Sequence, residues 1–265
     1  MSVAAWLSIW TLAERELVRF YRQRARVIGA VAPPLVFWTL IGSGLGASFR
    51  AAPTDNAGAG GLTALQYLFP GTVMLTVLFT SIFSTISLIE DRREGFLQSV
   101  LVAPIPRASL VLGKLLGGAT LACAQGALFL LCAPFIGASL TWASGLAVLG
   151  LLWLAAFGLA GLGFAFAWQL DSVQGFHAVM NLVLMPMWLL SGALFPSAGA
   201  PVWLRWAMRL NPLTYGVDAL RRGCFPSQAD GASLPVCLLV TLLFGLCTSA
   251  VSFRVAGQRT ARTLG

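Results

Sequence analysis

Five successive charged residues, Glu-Asp-Arg-Arg-Glu at positions 90–94, form the densest group of reactive side chains in the sequence. They lie between two long stretches, 56–89 and 115–170, that contain no charged residue. The apolar residues that follow, up to Pro104 and Pro106, predict a short helix. A loop that only had to be solvated could be built from glycine, serine and asparagine. This concentration of charge therefore predicts a surface on which another protein docks.

The other reactive side chains do not form a catalytic group. A phosphate-binding loop needs Gly-x-x-x-x-Gly-Lys-Ser/Thr, but the single lysine, Lys114, is followed by Leu115. The single histidine, His177, cannot form a proton relay alone, and the five cysteines lack the spacing of a disulfide framework or metal site. An intramembrane transferase or protease would need clustered Asp, His or Glu, and the nine acidic residues form no such cluster in an apolar stretch. The sequence predicts no catalytic residue, no metal and no cofactor bound by this chain.

The composition indicates that these residues are positioned by a helical scaffold within a membrane. Hydrophobic residues make up 58% of the 265 positions and charged residues 10%, whereas soluble domains carry about 25% charged residues. A helix needs roughly 20 apolar residues to cross a bilayer. Six stretches qualify: 27–47, 68–89, 111–133, 144–166, 177–195 and 234–253. Because they are continuous rather than alternating, helices are favoured over a β-barrel, and we predict an all-α, six-span membrane domain over residues 27–265.

The distribution of basic residues predicts the orientation of these spans. With six spans both termini lie on one side, and 12 of the 17 Lys and Arg residues fall on that side together with segment 90–107. The positive-inside rule then places the termini and this segment in the cytoplasm, and we predict a plasma (inner) membrane as the location. Four arginines, at positions 205, 209, 221 and 222, fall on the opposite side and weaken the bias. The net charge of +8 is explained by topology, so we predict no nucleic-acid partner.

Residues 1–26 form a predicted amphipathic helix. Its apolar residues recur every three or four positions: Trp6, Trp10, Ala13, Leu17 and Phe20. Such a helix is expected to lie at the membrane surface with its aromatic side among the lipid headgroups. Two compatible interpretations stay open, a basic anchor that orients the first span and an elbow helix that also transmits motion.

Three segments give the sequence a family resemblance: EDRREGFLQSVLVAPIPRASLVLGKLL at 90–116, LLSGALFP at 189–196 and LNPLTYGVDALRRG at 210–223. They resemble segments of the membrane subunits of type-2 ATP-binding-cassette exporters. With the N-terminal helix and the six spans, the similarity covers nearly the whole chain. It implies a homodimer, or a heterodimer with a second permease, that forms a pathway above two cytoplasmic ATPase subunits, which use ATP and Mg.

In that family the helix between spans two and three is a coupling helix that fits a cleft in the ATPase. Here it corresponds to about 90–107, and Glu94 and Gly95 match its most recognisable pair. Phe96 and Gln98 differ from the small polar and acidic residues that are more common there. The resemblance implies coupling roles for Asp91, Arg92, Arg93, Glu94, Gly95, Leu97 and Pro104. The alternative is a charged loop that only fixes the topology.

Segment 196–233 resembles the outer region of that family, where short helices re-enter the membrane edge and gate the exit. The residues assigned to this outer gate are Trp203, Arg205, Trp206, Arg209, Asn211, Pro212 and Tyr215. Its aromatic and basic side chains also suit contact with membrane lipid, and its Asn-Pro pair suits the start of a helix. A structural cap over the dimer is the alternative to a gate or lipid-facing rim.

Polar residues on spans two and five are the predicted lining of the pathway. They are Thr76, Thr80, Ser81, Ser84, Asn181 and Ser191, and they suit an amphiphilic solute such as a drug, lipid or glycan. Each of them could equally satisfy a contact between helices. A non-transporting membrane scaffold or immunity factor that binds an ATPase partner is the alternative function.

Overall fold

The computed structural model describes residues 3–45, 62–103, 105–197, 200–226 and 231–263. Within these residues the chain is helical and has no strand. The helices are α1 (Val3–Arg22), α2 (Arg24–Leu45), α3 (Ala64–Arg93), α4 (Phe96–Val102), α5 (Arg107–Leu130), α6 (Trp142–Gln169), α7 (Val173–Leu189), α8 (Val202–Leu210), α9 (Pro212–Cys224) and α10 (Leu234–Thr263). The all-α prediction is confirmed, while Pro104 of the predicted coupling group lies outside the described residues.

Five of the described helices are long and apolar enough to cross a membrane: Val27–Leu45 within α2, α3, α5, α6 and Leu234–Gln258 within α10. They coincide with five of the six predicted spans. The predicted span 177–195 coincides with α7, which is apolar but has 17 residues, or about 25 Å at 1.5 Å per residue. α7 ends early because the chain turns after it, with Gly192 in the left-handed region at a φ of 74°.

α3 is the central helix, and its ends define the two ends of the bundle. We call the end at residues 90–93 the charged end and the end at the start of α3 the far end. Five large apolar side chains along α3 are buried: Phe69, Met74, Leu78, Ile82 and Leu88. α7 reaches from one end of the bundle to the other. At the charged end Asp171, just before α7, pairs with Arg92. Near the far end Trp188 donates Nε1 to the carbonyl oxygen of Gly71 at 2.8 Å.

Hydroxyl side chains fix where several of these helices begin. Thr63 accepts from the backbone N–H of Gln66, and the Gln66 side chain accepts from the Thr63 N–H at the start of α3. Thr141 and Ser144 form the same capping box at the start of α6, and Ser172 caps α7. These bonds satisfy N–H groups that the first helical turn leaves without partners. These capping residues therefore fix the first residue of three helices, α3, α6 and α7.

The predicted amphipathic helix is α1, and it packs against the bundle along α5. Its buried face carries Ala5, Ile9, Leu12, Glu16 and Phe20. Trp6 and Trp10 point away from the bundle, with about two thirds of their surface exposed at 64% and 66%. Phe20, which the sequence assigned to the same aromatic side, is instead buried against Ala30 of α2 and Leu121 of α5. Contact of the two exposed tryptophans with lipid headgroups stays a prediction.

Two glycines one turn apart on α5 allow this close packing. An added Cβ at Gly113 would lie 2.7 Å from the Cβ of Leu12 and 3.1 Å from the carbonyl oxygen of Ile9. At Gly117 it would lie 3.0 Å from the Cβ of Glu16. Small residues at this spacing let two helix backbones approach each other, so α1 is part of the core rather than a loosely attached segment.

Replacing Gly113 with leucine is expected to force α1 away from α5 and to lower the free energy of unfolding by about 1–3 kcal/mol. Thermal unfolding of the purified protein in detergent measures this loss as a Tm lower by several degrees. Gly150→Leu in α6 is the matched control, because an added Cβ there meets nothing within 4 Å. Equal Tm values for the two variants would contradict the close packing of α1 on α5.

Candidate functional site

A group of charged side chains from three helices is buried at the charged end. Lys114 of α5 lies at its centre, with Nζ 2.5 Å from Oε1 of Glu16 in α1 and 2.5 Å from Oδ2 of Asp91 in α3. The ammonium also donates to Oγ of Ser87 at 3.0 Å. Its three N–H donors are therefore all used, and the three charged side chains are no more than 4% exposed.

Two arginines of α1 complete this group. Arg15 donates from Nη1 and Nη2 to the two carboxylate oxygens of Asp91, at 3.0 and 2.8 Å. Arg19 donates to Oδ1 of Asp91 at 2.5 Å and to Oε2 of Glu90 at 2.9 Å. The hydrogen bond to Asp91 raises the pKa of Arg15 above its ordinary value. Asp91 thus accepts hydrogen bonds from three cations while it is fully buried.

We call this group the ionic cluster; it consists of Arg15, Glu16, Arg19, Ser87, Glu90, Asp91 and Lys114. Its three cations balance its three carboxylates. Breaking a buried ion pair by removing one partner costs about 3–5 kcal/mol, because the other charge stays buried without compensation. The cluster therefore holds α1 and α5 against the last turns of α3.

α4 follows the ionic cluster directly and is attached to it. Gly95, which precedes α4, has a φ of 78°, in the left-handed region that favours glycine. The Arg15 guanidinium lies 3.7 Å from the centroid of the Phe96 ring, within cation–π distance, and Leu97 is buried. We call the exposed side of this segment the α4 face; it comprises Arg93, Glu94, Gln98, Ser99 and Val102.

The two central arginines of the charged run connect in a different direction, to the junction of α6 and α7. Arg92 donates to Oδ1 of Asp171 at 2.7 Å and to the carbonyl oxygen of Trp168 at 2.7 Å. Arg93 donates to the carbonyl oxygen of Asp171 at 2.8 Å. The end of α3 is therefore tied to α1 and α5 by its carboxylates and to the start of α7 by its arginines.

The predicted coupling residues differ in how accessible they are in this fold. Arg93 and Glu94 lie on the α4 face, where a partner protein can reach them. Asp91 and Leu97 are buried, so they support α4 from inside the chain rather than offering a contact. Arg92 is half-buried at the α6–α7 junction.

Sequence reasoning missed most of the ionic cluster and its neighbour at the α6–α7 junction: Arg15, Glu16, Arg19, Ser87 and Asp171. One signal was present in the sequence. Glu16 follows Leu12 and precedes Phe20 by four residues each, so it shares the buried face of α1. A carboxylate on an apolar helical stripe indicates a buried cation partner, and Lys114 supplies it.

The predicted pathway residues are mostly internal in this conformation. Four of them, Thr76, Thr80, Ser84 and Ser191, are buried. Their hydroxyls donate to carbonyl oxygens within their own segment or, for Thr80, to the side chain of Gln125. Ser81 is also buried. The first four therefore bond within the chain, whereas the buried Ser81 hydroxyl has no hydrogen-bond partner among the described residues. Asn181 is exposed on α7.

Four of the predicted outer-gate residues lie on α8 and are exposed: Trp203, Arg205, Trp206 and Arg209. The Arg209 guanidinium lies 5.6 Å from the centroid of the Trp206 ring. α8 therefore presents an aromatic and basic surface at the far end.

The other three predicted outer-gate residues form the joint between α8 and α9. Asn211 accepts from the backbone N–H of Leu213 and donates to the carbonyl oxygen of Met187 at 2.5 Å. Pro212 occupies the first turn of α9, and the Tyr215 hydroxyl donates to the carbonyl oxygen of Arg209 at 2.8 Å. The joint therefore fixes α9 to the end of α7 and to α8.

Fold and site together define the class: a multi-pass helical membrane protein whose exposed α4 face is anchored to buried charges. A family model described as "ABC-2 type transporter" matches residues 8–225, from within α1 to the end of α9. The chain belongs to the ABC-2 type transporter family and is a membrane permease of that kind. Membership implies association with an ATP-binding subunit.

Individual relatives agree with this assignment. The chain is 29% identical over 216 residues to "Putative transport permease ycf38" of Cyanophora paradoxa, covering 80% of this chain and 72% of that protein. It is 27% identical over 219 residues to "Nodulation protein J" of Rhizobium leguminosarum bv. trifolii, covering 82% and 79%. With "Nodulation protein J" of Sinorhizobium fredii it shares 24% identity over 258 residues, or 94% of each chain. The predicted family resemblance is confirmed.

Proposed function

We propose that this permease is the membrane subunit of an ATP-driven exporter and that a cytoplasmic ATPase subunit docks on the α4 face. The observation that carries the proposal is the attachment of this exposed face to the buried ionic cluster. The charged end then lies in the cytoplasm with both termini, at a plasma (inner) membrane, in agreement with the excess of basic residues on that side. The ATPase subunit supplies the ATP and Mg chemistry.

The contacts of α4 give a direct route for motion. A displacement of α4 acts on Arg15 through the Phe96 ring and on the end of α3 through Gly95. Arg15 is paired to Asp91, and Asp91 to Lys114, so α1, α3 and α5 move as one body. Arg92 carries the same displacement to the start of α7. ATP binding, which brings two ATPases together, would thereby favour a second global state of the spans.

We place the pathway between two copies of the permease, or this chain and a homologous partner, with α7 as the sixth span facing it. Within the described residues, the exposed side chain of Asn181 on this apolar helix has no hydrogen-bond partner. A polar amide in an apolar membrane helix is costly unless it is paired or faces water. A pathway for an amphiphilic solute, such as a drug, lipid or glycan, provides such partners.

Replacing Asn181 with leucine is expected to lower ATP-dependent solute transport about threefold, the equivalent of one lost neutral hydrogen bond. Uptake into inverted vesicles measures this, using an amphiphile that stimulates the ATPase of the parent complex. Leu182→Ala is the matched control, because Leu182 is the next residue on α7 and is 76% exposed. Unchanged transport in Asn181→Leu, or an equal loss in Leu182→Ala, would contradict the assignment of this side of α7 to the pathway.

α8 is placed at the outer membrane surface, as a gate or lipid-facing rim. Its exposed tryptophans suit the headgroup region, and Arg205 and Arg209 can reach lipid phosphates while their alkyl chains stay on apolar surface. Because Asn211 fixes the start of α9 to the end of α7, gating would move α8 while α9 stays in place.

The proposal is tested by purifying the tagged chain from its native cells in a mild detergent, identifying the proteins that accompany it and measuring ATP hydrolysis. An ATP-binding-cassette ATPase is expected in the complex, and solute is expected to move when the complex is reconstituted with ATP. A complex that contains the ATPase but moves no solute would indicate a scaffold instead. Absence of any ATPase from an intact dimer would contradict the proposal.

A further inference from the structure

Arg221 of α9 is a buried charge at the far end, remote from the ionic cluster. Its side chain is 8% exposed, and its Nη2 donates to the carbonyl oxygen of Gly192 at 3.0 Å. Tyr67, in the first turn of α3, donates its hydroxyl to the same oxygen at 3.1 Å. The Arg221 guanidinium carbon also lies 4.4 Å from the centroid of the Tyr67 ring. One carbonyl of the turn after α7 is therefore held by donors from α3 and from α9.

The turn that contains this carbonyl is packed tightly on α3. The left-handed φ of Gly192 brings Ala193 against Gly71, where an added Cβ would lie 2.5 Å from the Cβ of Ala193. Trp188, at the end of α7, donates Nε1 to the carbonyl oxygen of Gly71 at 2.8 Å. The end of α7 cannot leave α3 without breaking these contacts and the two hydrogen bonds at Gly192.

The guanidinium of Arg221 is only partly paired in this arrangement. Its Nε is buried and has no hydrogen-bond partner among the described residues. Oδ1 of Asp218, one turn earlier on α9, lies 3.8 Å from Nη1, within ion-pair range but beyond a hydrogen bond. A buried charge with an unsatisfied donor is costly. Oδ2 of Asp218 accepts from the backbone N–H of Ala232 at 3.1 Å, and its Oδ1 is the carboxylate oxygen that the guanidinium can approach if Gly192 is released.

We propose that Arg221 is a positioning residue that keeps the outer end of the pathway closed by holding the Gly192 turn against α3. Opening moves α7 away from α3, and Arg221 then exchanges the Gly192 carbonyl for the Asp218 carboxylate. This inference rests on the proposed function, since an outer end must close only in a chain that carries a solute. The neighbouring Arg222 has another task, because it donates to the carbonyl oxygens of residues 231 and 232, both at 2.8 Å.

The test measures how fast a water-soluble maleimide labels Ala193→Cys in nanodiscs that contain the whole complex. The chain used has its five cysteines replaced by alanine. Ala193 is buried against α3, so labelling reports release of the turn. Arg221→Met is expected to raise the labelling rate about 10-fold, as for the loss of a charge-assisted hydrogen bond. Arg221→Lys keeps a charged donor and is expected to stay within about threefold of the parent.

Trapping the ATPase with ATP and vanadate separates gating from plain structural support. Trapping is expected to raise the labelling rate of the parent chain and to add little in Arg221→Met, where the turn is already released. Arg222→Met is the matched control and is expected to label at the parent rate. Parent-like labelling of Arg221→Met, an equal rise in Arg222→Met, or a rise in Arg221→Met without any effect of trapping on the parent would each overturn the proposal.

A milder variant covers the case in which Arg221→Met does not fold. Tyr67→Phe removes only the hydroxyl that shares the Gly192 oxygen, and it is expected to raise labelling about threefold, as for one neutral hydrogen bond. An unchanged labelling rate in folded Tyr67→Phe would contradict the proposal that the bonds to the Gly192 carbonyl hold the turn against α3. Labelling in the absence of ATP needs neither the ATPase nor a known solute. If the purified complex contained no ATPase, the proposed function would be contradicted. The labelling rate of position 193 would still show whether Arg221 and Tyr67 hold the Gly192 turn.

Discussion

Replacing Gly95 with valine is expected to uncouple the transporter: ATP hydrolysis continues while ATP-dependent export falls about 10-fold or more. Gly95 has a φ of 78°, and an added Cβ would meet nothing within 4 Å. The effect is therefore on the backbone, because a β-branched residue is strongly disfavoured at positive φ. The segment must then leave the end of α3 in another direction, which moves the α4 face away from its position. Hydrolysis and vesicle transport, measured on the same reconstituted complex, check this result.

The matched control is Gly95→Asn, because asparagine adopts the left-handed region far more readily than valine. It is expected to retain most of the export activity. Glu94→Arg changes the same site by charge instead, since Glu94 accepts from Arg19 at 3.3 Å and a cation there is repelled. It is also expected to uncouple hydrolysis from export without removing the chain from the membrane. Normal export by Gly95→Val would count heavily against α4 as the coupling helix.

Replacing Lys114 with methionine is expected to have the largest effect on stability. The change leaves Glu16 and Asp91 buried without the cation that lies 2.5 Å from each of them. Loss of one partner in a buried ion pair costs about 3–5 kcal/mol. We therefore expect a Tm lower by about 10 °C, by the usual relation of free energy to Tm for a chain of this size, or failure to accumulate. Thermal unfolding in detergent and membrane yield measure the loss.

Two further variants distinguish the buried charges from a general effect of losing a cation. The double variant Lys114→Met, Glu16→Gln removes the worst-compensated carboxylate, since Asp91 still has Arg15 and Arg19, and part of the stability is expected to return. Arg205→Met removes an exposed cation of α8 and is expected to leave the Tm unchanged. If Lys114→Met were as stable as Arg205→Met, the ionic cluster could not be the element that joins α1, α3 and α5.

The sequence predicted the helices well where their apolar pattern is long and uninterrupted. The predicted spans 68–89 and 144–166 lie within α3 and α6 but are shorter than these helices. α3 extends into charged residues that hydropathy alone excludes, whereas α6 extends by a few mostly apolar residues at each end. In α3 the extension to Arg93 is stabilised by contacts with α1, α5 and α6. The span assigned to 177–195 extends past the end of α7. Leu190 and Gly192 interrupt no apolar pattern in the sequence, but in the structure Leu190 caps the helix and Gly192 turns the chain.

The candidate site was predicted only in part, because its key contacts are distant in sequence. The charged run and Gly95 could be recognised locally. The partners of Asp91 lie 76 and 72 residues earlier, at Arg15 and Arg19, and 23 residues later, at Lys114. No local pattern shows that these side chains meet. The buried hydroxyls of α3 illustrate the same limit, since spacing along one helix does not tell which neighbour covers each face.

We infer that the ATPase subunit contacts the α4 face, a claim that site-specific photo-crosslinking tests most directly. A photoreactive residue is placed at Gln98, which is exposed on α4, or at Trp203, which is 69% exposed on α8 at the far end. After illumination of intact native membranes, we expect the ATPase to be cross-linked from position 98 and not from position 203. Cross-linking from position 203, or none from position 98 although the ATPase co-purifies with the chain, would contradict the claim.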